Sequence, residues 1–304
     1  LRDLLALSAL PSRRSDTVRE LSLASLRYFL EAPAQGWARA VLRLDSPSEE
    51  ARSGQSDEPL RAENLERTKV LRDAFETGLK ERRKPLSVYD EAVPRLASMG
   101  RWPLGILAER AREEHADNLE AWQRAYMSAV HAHTEPVRVR FGSGRAHGES
   151  AIIRPALEIE VELDGELVPI RLVGRTEALV EGGHSSLLLL ARPAPSGGEL
   201  LAERLRYALR GYLDALALAA DPEATSSAPS VASVPSAPSG ARAHRTLLLY
   251  SGDAAREAST RFVGMTPDEA KHILSRLVAS LLRREHAYYL PCQAVFRLAR
   301  GWAT

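Results

Sequence analysis

The sequence predicts a mixed α/β protein, between the α+β and α/β classes, with a central mixed sheet flanked by helices and a helical N-terminal part. Three observations predict it. Between 64 and 130 apolar residues recur at helical spacing. At Pro136 the period changes to two, with Val137, Val139 and Phe141 alternating with Arg138 and Arg140. The continuous apolar run 187–191 then suits a strand buried on both faces, and a long helical pattern over 199–220 follows it. The expected organisation is a lead-in at 1–20, a helical part at 21–135 packed on the sheet, and sheet and helices at 136–304, with a disordered Ala/Ser/Pro insertion at about 221–243.

Each element has a local reason. Ser22 can cap a helix over 23–31, with Leu23, Leu26, Phe29 and Leu30 on one side, and Pro33 interrupts it before a second helical pattern over 35–44. A polar loop over 45–59 precedes a helix over 64–79 whose expected core is Leu65, Val70, Leu71, Phe75 and Leu79. A short helix over 88–99 and a Gly-Arg-Trp-Pro-Leu-Gly junction lead into a long helix with Leu107, Ala111, Leu119, Trp122, Tyr126 and Val130 on one face. His115 shares that face and is expected to be a hydrogen-bonded core residue. The glycine loop 142–148 lacks the ending of a phosphate loop and reads as a turn. Strands over 152–163 and from Val168 are joined by an Asp164-Gly165 hairpin into an antiparallel set. Gly182 and Gly183 permit a reversal, and Pro193 and Pro195 end the buried strand. The helix over 199–220 presents Leu201, Leu205, Leu209, Tyr212 and Leu216. A strand over 246–250 follows, then Thr266-Pro267-Asp268-Glu269, a full helix start. An extended end around Pro291 closes the chain.

Composition excludes several function classes. The sequence has no apolar run long enough for a membrane span and no secretory signal, and a start at Leu1 suggests a fragment of something longer. One cysteine, Cys292, excludes an internal disulfide and a multi-cysteine zinc site and fits a reducing, cytoplasmic compartment. The formal charge of +1 gives no global basic field. Contact with DNA would therefore be local, on phosphates, with Arg82, Arg83, Arg138 and Arg140 as candidates. The basic run at 80–84 also suits a solvated helix end.

The strand–turn–strand–loop–helix order over 168–220 has a chemical meaning in metal-dependent nucleases of the PD-(D/E)xK type. Such an enzyme holds Mg²⁺ between an acid on one strand and an acid-x-lysine pair on the next, because Mg²⁺ takes hard oxygen ligands. Glu177, in Gly174-Arg175-Thr176-Glu177, could be the first acid. The second strand carries Leu190-Ala191-Arg192. Leucine cannot ligate Mg²⁺, and arginine keeps its proton near neutral pH. The layout fits a nuclease-like fold whose metal centre is gone; an ordinary α/β hairpin without nuclease ancestry fits the same residues.

Several separated landmarks occur in an order that resembles the C-terminal region of the gamma subunit (RecC) of exodeoxyribonuclease V. They are the opening helix Leu23-Ala24-Ser25-Leu26-Arg27-Tyr28-Phe29-Leu30-Glu31-Ala32-Pro33, then Asp57-Glu58-Pro59 with Leu65-Glu66-Arg67. The junction Met99-Gly100-Arg101-Trp102-Pro103-Leu104-Gly105 and the strand end Leu190-Ala191-Arg192-Pro193 follow. The Ala/Ser/Pro insertion and the missing helicase-like N-terminal part depart from the family pattern.

The resemblance implies a nuclease-like domain without activity, which docks on the beta and delta subunits near the point where duplex DNA is split. Such a domain guides DNA ends or forks during recombinational repair of double-strand breaks. It implies no cofactor in this chain, with ATP and Mg²⁺ used by partner subunits. A helix residue completes the metal site in active relatives, so Glu109 and Glu177 could be remnants of it, with Leu190 and Arg192 marking the lost pair. Both glutamates could equally be surface acids. Two other readings stay open: an active Mg²⁺ nuclease using a migrated acid such as Glu160 or Glu162, and a structural domain with no DNA contact.

Overall fold

A computed structural model describes residues 18–44, 64–130, 135–142, 151–163, 165–195, 198–221, 243–251 and 257–283, with 290 and 295. The expected loop at 45–59, most of the glycine loop and of the insertion, and most of the extended end lie outside the described residues. In chain order the elements are β1 (Arg19–Ser22), α1 (Leu23–Glu31), α2 (Pro33–Leu42), α3 (Asn64–Glu81), α4 (Pro85–Ser98) and α5 (Gly105–Ala129). There follow β2 (Arg138–Phe141), β3 (Ala151–Arg154), β4 (Leu157–Leu163), β5 (Glu166–Arg175), β6 (Ala178–Val180) and β7 (Ser185–Leu190). α6 (Gly198–Ala220), β8 (His244–Tyr250), β9 (Glu257–Phe262) and α7 (Pro267–Leu282) complete the order. Among the described residues, no helix is long and apolar enough to cross a membrane.

Two sheets form. One runs β1-β5-β2-β3 with β4 also on β5, and the other runs β6-β7-β8-β9. β1 was not expected: Arg19 and Glu20, assigned to the lead-in, pair in parallel with β5 opposite Ile170 and Arg171. The expected all-antiparallel set is also corrected. Pro155 separates β3 from β4, β3 pairs with β2 in parallel, and only β4 forms the antiparallel hairpin with β5, around Gly165 at φ +84°. β7 and β8 are parallel and joined through α6, while β9 closes the second sheet antiparallel to β8.

The core divides by strand parity. In the second sheet Val180, Leu187, Leu189, Leu247 and Leu249 pack with Phe75, Trp122 and Tyr126 of α3 and α5. The alternate residues Leu188, Leu190, Leu248 and Tyr250 turn to the other face, against Tyr207 of α6. In the first sheet Phe141, Ile159, Ile170 and Leu172 pack with α1, α6 and α7. The helices expected over 21–135 therefore divide between two cores: α1 joins the first sheet, and α3 to α5 cover the second. Leu65, expected in the core, is exposed, and so are Leu107 and Leu201, which continue the apolar spacing of their helices. Each lies in the first turn or so of its helix, ahead of the buried stretch.

α6 packs on the second sheet at close quarters. A Cβ built on Gly211 would stand 1.8 Å from Thr246 Oγ1, so only glycine fits this crossing. α7 opens on the expected capping box: the Thr266 hydroxyl accepts from Glu269 N, and the Glu269 carboxylate accepts from Thr266 N.

Candidate functional site

The site begins with a break in a ladder. β2 pairs antiparallel with β5 at Arg140–Arg175, and Val137 bridges Leu179 at the start of the second sheet. Four steps separate Arg175 from Leu179, but three separate Val137 from Arg140. One strand thus carries an extra residue, a β-bulge at Thr176-Glu177. Thr176 repairs the ladder from within. Its N–H donates to Val139 O at 2.9 Å, and its hydroxyl accepts from Val139 N at 3.1 Å. Glu177 is left over: its N–H, released from the ladder, donates to Asp214 Oδ2 at 3.1 Å.

Asp214 is fully buried on α6. Besides the Glu177 N–H, it accepts from Ser186 Oγ at 2.8 Å and from Arg27 Nη2 at 2.8 Å. Ser186 Oγ also lies 2.9 Å from His244 Nε2. Arg27, from α1, donates in addition to the Arg175 carbonyl at 2.7 Å and stands 3.7 Å from Glu177 Oε1. Arg210, one turn before Asp214, lies 3.8 Å from Glu177 Oε1 and is held by Glu31. Arg138 of β2 donates to Glu76 of α3 at 2.8 Å. Arg72 of α3 forks its guanidinium onto the Leu189 carbonyl at 3.1 and 2.9 Å.

The electrostatics follow from this crowding of arginines. Burial pushes the Glu177 carboxyl upward, but Arg27, Arg210, Arg72 and Arg138 together outweigh it and hold the group below the ordinary carboxylate range. Burial raises Asp214 to about 6, and Glu177 adds to the rise against the pull of Arg27 and Ser186. Burial also lowers His244 to about 4, so it is neutral near pH 7. Glu76 is raised by burial, with Arg138 opposing.

The sequence-predicted positions separate here. Glu177 is at the centre, its side chain 18% exposed. Glu109 stands exposed early in α5, whereas the Glu177 charge is felt by two other helix carboxylates, Asp214 of α6 and Glu76 of α3. Leu190 is buried at the end of β7 among Leu188, Leu248 and Tyr250. Arg192, just beyond, donates to Tyr207 Oη at 3.0 Å and pairs with Glu203 at 2.8 Å. Glu160 and Glu162 lie opposite Pro169 and Leu167. Those partners stand six and eight residues before Arg175, the end of β5, which is about 20 and 26 Å at about 3.3 Å per residue. Of the arginines, Arg83 pairs with Glu81 and Glu91, and Arg138 with Glu76. Arg82 is exposed at a helix end with φ +53°, and Arg140 is half-buried in β2.

Sequence reasoning missed Arg27, Asp214, Ser186 and His244. One signal was available: Asp214 is the only charged residue in the apolar stretch 211–220. The Glu177 and Asp214 carboxylates are already engaged by the guanidinium groups of Arg27 and Arg210, so Mg²⁺ does not fit beside them as they stand. Among the described residues, no group of three or more His, Cys, Asp or Glu is placed to hold a metal ion.

Fold and site define a mixed α/β domain, built around a parallel β–α–β unit, whose Glu177 and Asp214 carboxylates are engaged from within by arginine. The family model described as the RecC C-terminal domain matches residues 18–300, and the chain belongs to that family. Membership carries a RecC-family role in a multisubunit RecBCD-type complex, exodeoxyribonuclease V, which acts on DNA in recombinational repair. Comparison with curated proteins finds no match.

Proposed function

We propose that this chain is a catalytically silent, nuclease-like module that docks on the beta and delta subunits of the complex and guides DNA at the point of strand separation. The order α5, β5–β6, β7, α6, β8, with β7 and β8 parallel across α6, supports a PD-(D/E)xK-like reading. One observation carries the reading: the position that would supply the second metal-binding oxygen is Leu190, packed in hydrocarbon against Tyr250. The partner subunits use the ATP and Mg²⁺ of the reaction. The alternative of a migrated acid loses ground because Glu160 and Glu162 lie at the far end of β5 from Glu177.

The test is a nuclease assay on labelled linear DNA with Mg²⁺ or Mn²⁺. The isolated chain is expected not to cleave, and a Glu177→Ala chain reassembled with the beta and delta subunits is expected to leave cleavage by the complex unchanged. Cleavage by the isolated chain that disappears in Glu177→Ala would overturn the proposal. Failure to co-purify with either subunit would remove the docking role.

A reading as a purely structural domain draws on the engagement of Arg83 and Arg138 by Glu81, Glu91 and Glu76. Crosslinking of forked DNA to the assembled complex separates the two readings, since a structural domain gives no adduct on this chain.

A further inference from the structure

The oxygens around Arg27 form an unusual set. Asp214 Oδ1 at 2.8 Å, the Arg175 carbonyl at 2.7 Å and Glu177 Oε1 at 3.7 Å face one guanidinium. Two carboxylates from different elements and a main-chain carbonyl are the hard donors that a divalent cation selects. The bulge creates this convergence: it frees the Glu177 N–H to fix Asp214 and leaves the Glu177 side chain beside it. The guanidinium that fills the set comes from α1, far away in sequence, and its side chain is only 15% exposed.

We propose that Arg27 is a built-in cation, which occupies a hard-oxygen site formed by Asp214, Glu177 and the Arg175 carbonyl and so makes the fold independent of divalent metal. The guanidinium answers the two carboxylates with charge and the carbonyl with a hydrogen bond. It also tethers α1 to α6 and to the sheet junction, which a bound ion would do only while metal was present. Arg210 supplements it at 3.8 Å from Glu177 but is itself held by Glu31, so Arg27 is the cation that both acids share. The inference stands on this geometry alone and does not rest on docking or DNA guiding.

The experiment compares the full chain with its Arg27→Met and Arg27→Lys variants by thermal unfolding in EDTA and in Mn²⁺, with Mn²⁺ binding read by electron paramagnetic resonance. Wild type is expected to unfold at the same temperature in both media and to leave the free Mn²⁺ signal undiminished. Arg27→Met is expected to unfold several degrees lower in EDTA, to regain part of that loss in Mn²⁺, and to lose the recovery when Glu177→Gln is added. Arg27→Lys, which keeps a cation, is expected to lose less than Arg27→Met and to gain nothing from Mn²⁺. Mn²⁺ binding to wild type that vanishes in Glu177→Gln would overturn the inference, as would a soluble Arg27→Met chain indifferent to Mn²⁺. If Arg27→Met does not fold, the lysine variant decides: a folded Arg27→Lys chain supports the charge requirement, and one that also fails refutes it.

Discussion

Asp214 carries its charge without contact with solvent, which makes its partners indispensable. A buried ion pair broken from one side leaves the other charge stranded, at a cost of about 3–5 kcal/mol. Asp214→Ala removes the acceptor for Arg27, Ser186 and the Glu177 N–H together. Urea unfolding is expected to show a loss of that order, whereas a loss below about 1 kcal/mol would mean that the pair holds nothing. His115 offers a second single-residue test. Buried on α5, with Nδ1 2.8 Å from the Tyr89 hydroxyl, it is lowered by burial from 6.5 to about 4. The unfolded chain binds the proton more readily between those values. The stabilisation is therefore complete above pH 6.5 and is lost as pH falls toward 4, on the order of 1–3 kcal/mol for one histidine. Asp214, raised to about 6, acts in the opposite sense over part of that window, so the informative quantity is the difference from wild type. His115→Gln is expected to flatten the fall of unfolding temperature between pH 6.5 and 4.5, and an unchanged slope would contradict the assignment.

α6 serves both sheets, since Leu213, Leu216 and Ala217 join the core of the first and Tyr207 packs on the Leu190 face of the second. Gly211 sets how closely it lies on β8. Gly211→Ala forces a methyl group into Thr246, and overpacking of this kind costs about 1–3 kcal/mol or more. Thr246→Ala in the same chain is expected to restore part of the loss in thermal unfolding, and strict additivity of the two changes would argue against direct contact. Much of this scale is legible in the sequence. Ser22 caps α1 by accepting from Ser25 N, the Thr-Pro-Asp-Glu start opens α7, and the apolar run from Leu187 lies in β7, a strand that is buried on both faces but starts at Ser185 and ends at Leu190. These signals are local, so one chain segment contains them. β1 was not legible, because four residues with no alternating pattern become a strand only through pairing with β5. Arg27 was not legible for the same reason. Nothing in the opening helix announces that one of its arginines meets an aspartate 187 positions away. Glu177 could be picked out by its place after the glycine, but the bulge that isolates it depends on the register of β2.

Across the whole molecule the charges nearly cancel, at +1, yet four arginines gather around Glu177 at the sheet junction. Arg27, Arg72, Arg138 and Arg210 all act on one carboxylate, Glu177, and each has an internal oxygen to bind. This arrangement decides which arginines remain to meet phosphate. A guanidinium already engaged with a carboxylate releases fewer counterions on meeting DNA and has to break its pair first. On the proposed reading, the isolated chain binds single-stranded or forked DNA weakly and without sequence preference, and its affinity falls steeply between low and moderate salt. The individual arginines then separate by experiment. Arg82→Ala, at an exposed helix end, is expected to reduce the slope of log affinity against log salt by up to about 1 without changing stability. Arg138→Ala is expected to lower stability by stranding Glu76 while leaving that slope unchanged in the folded fraction. Fluorescence anisotropy over a salt series, with unfolding measured in the same buffers, distinguishes the two, and a salt-independent affinity would exclude phosphate contact as the source of binding.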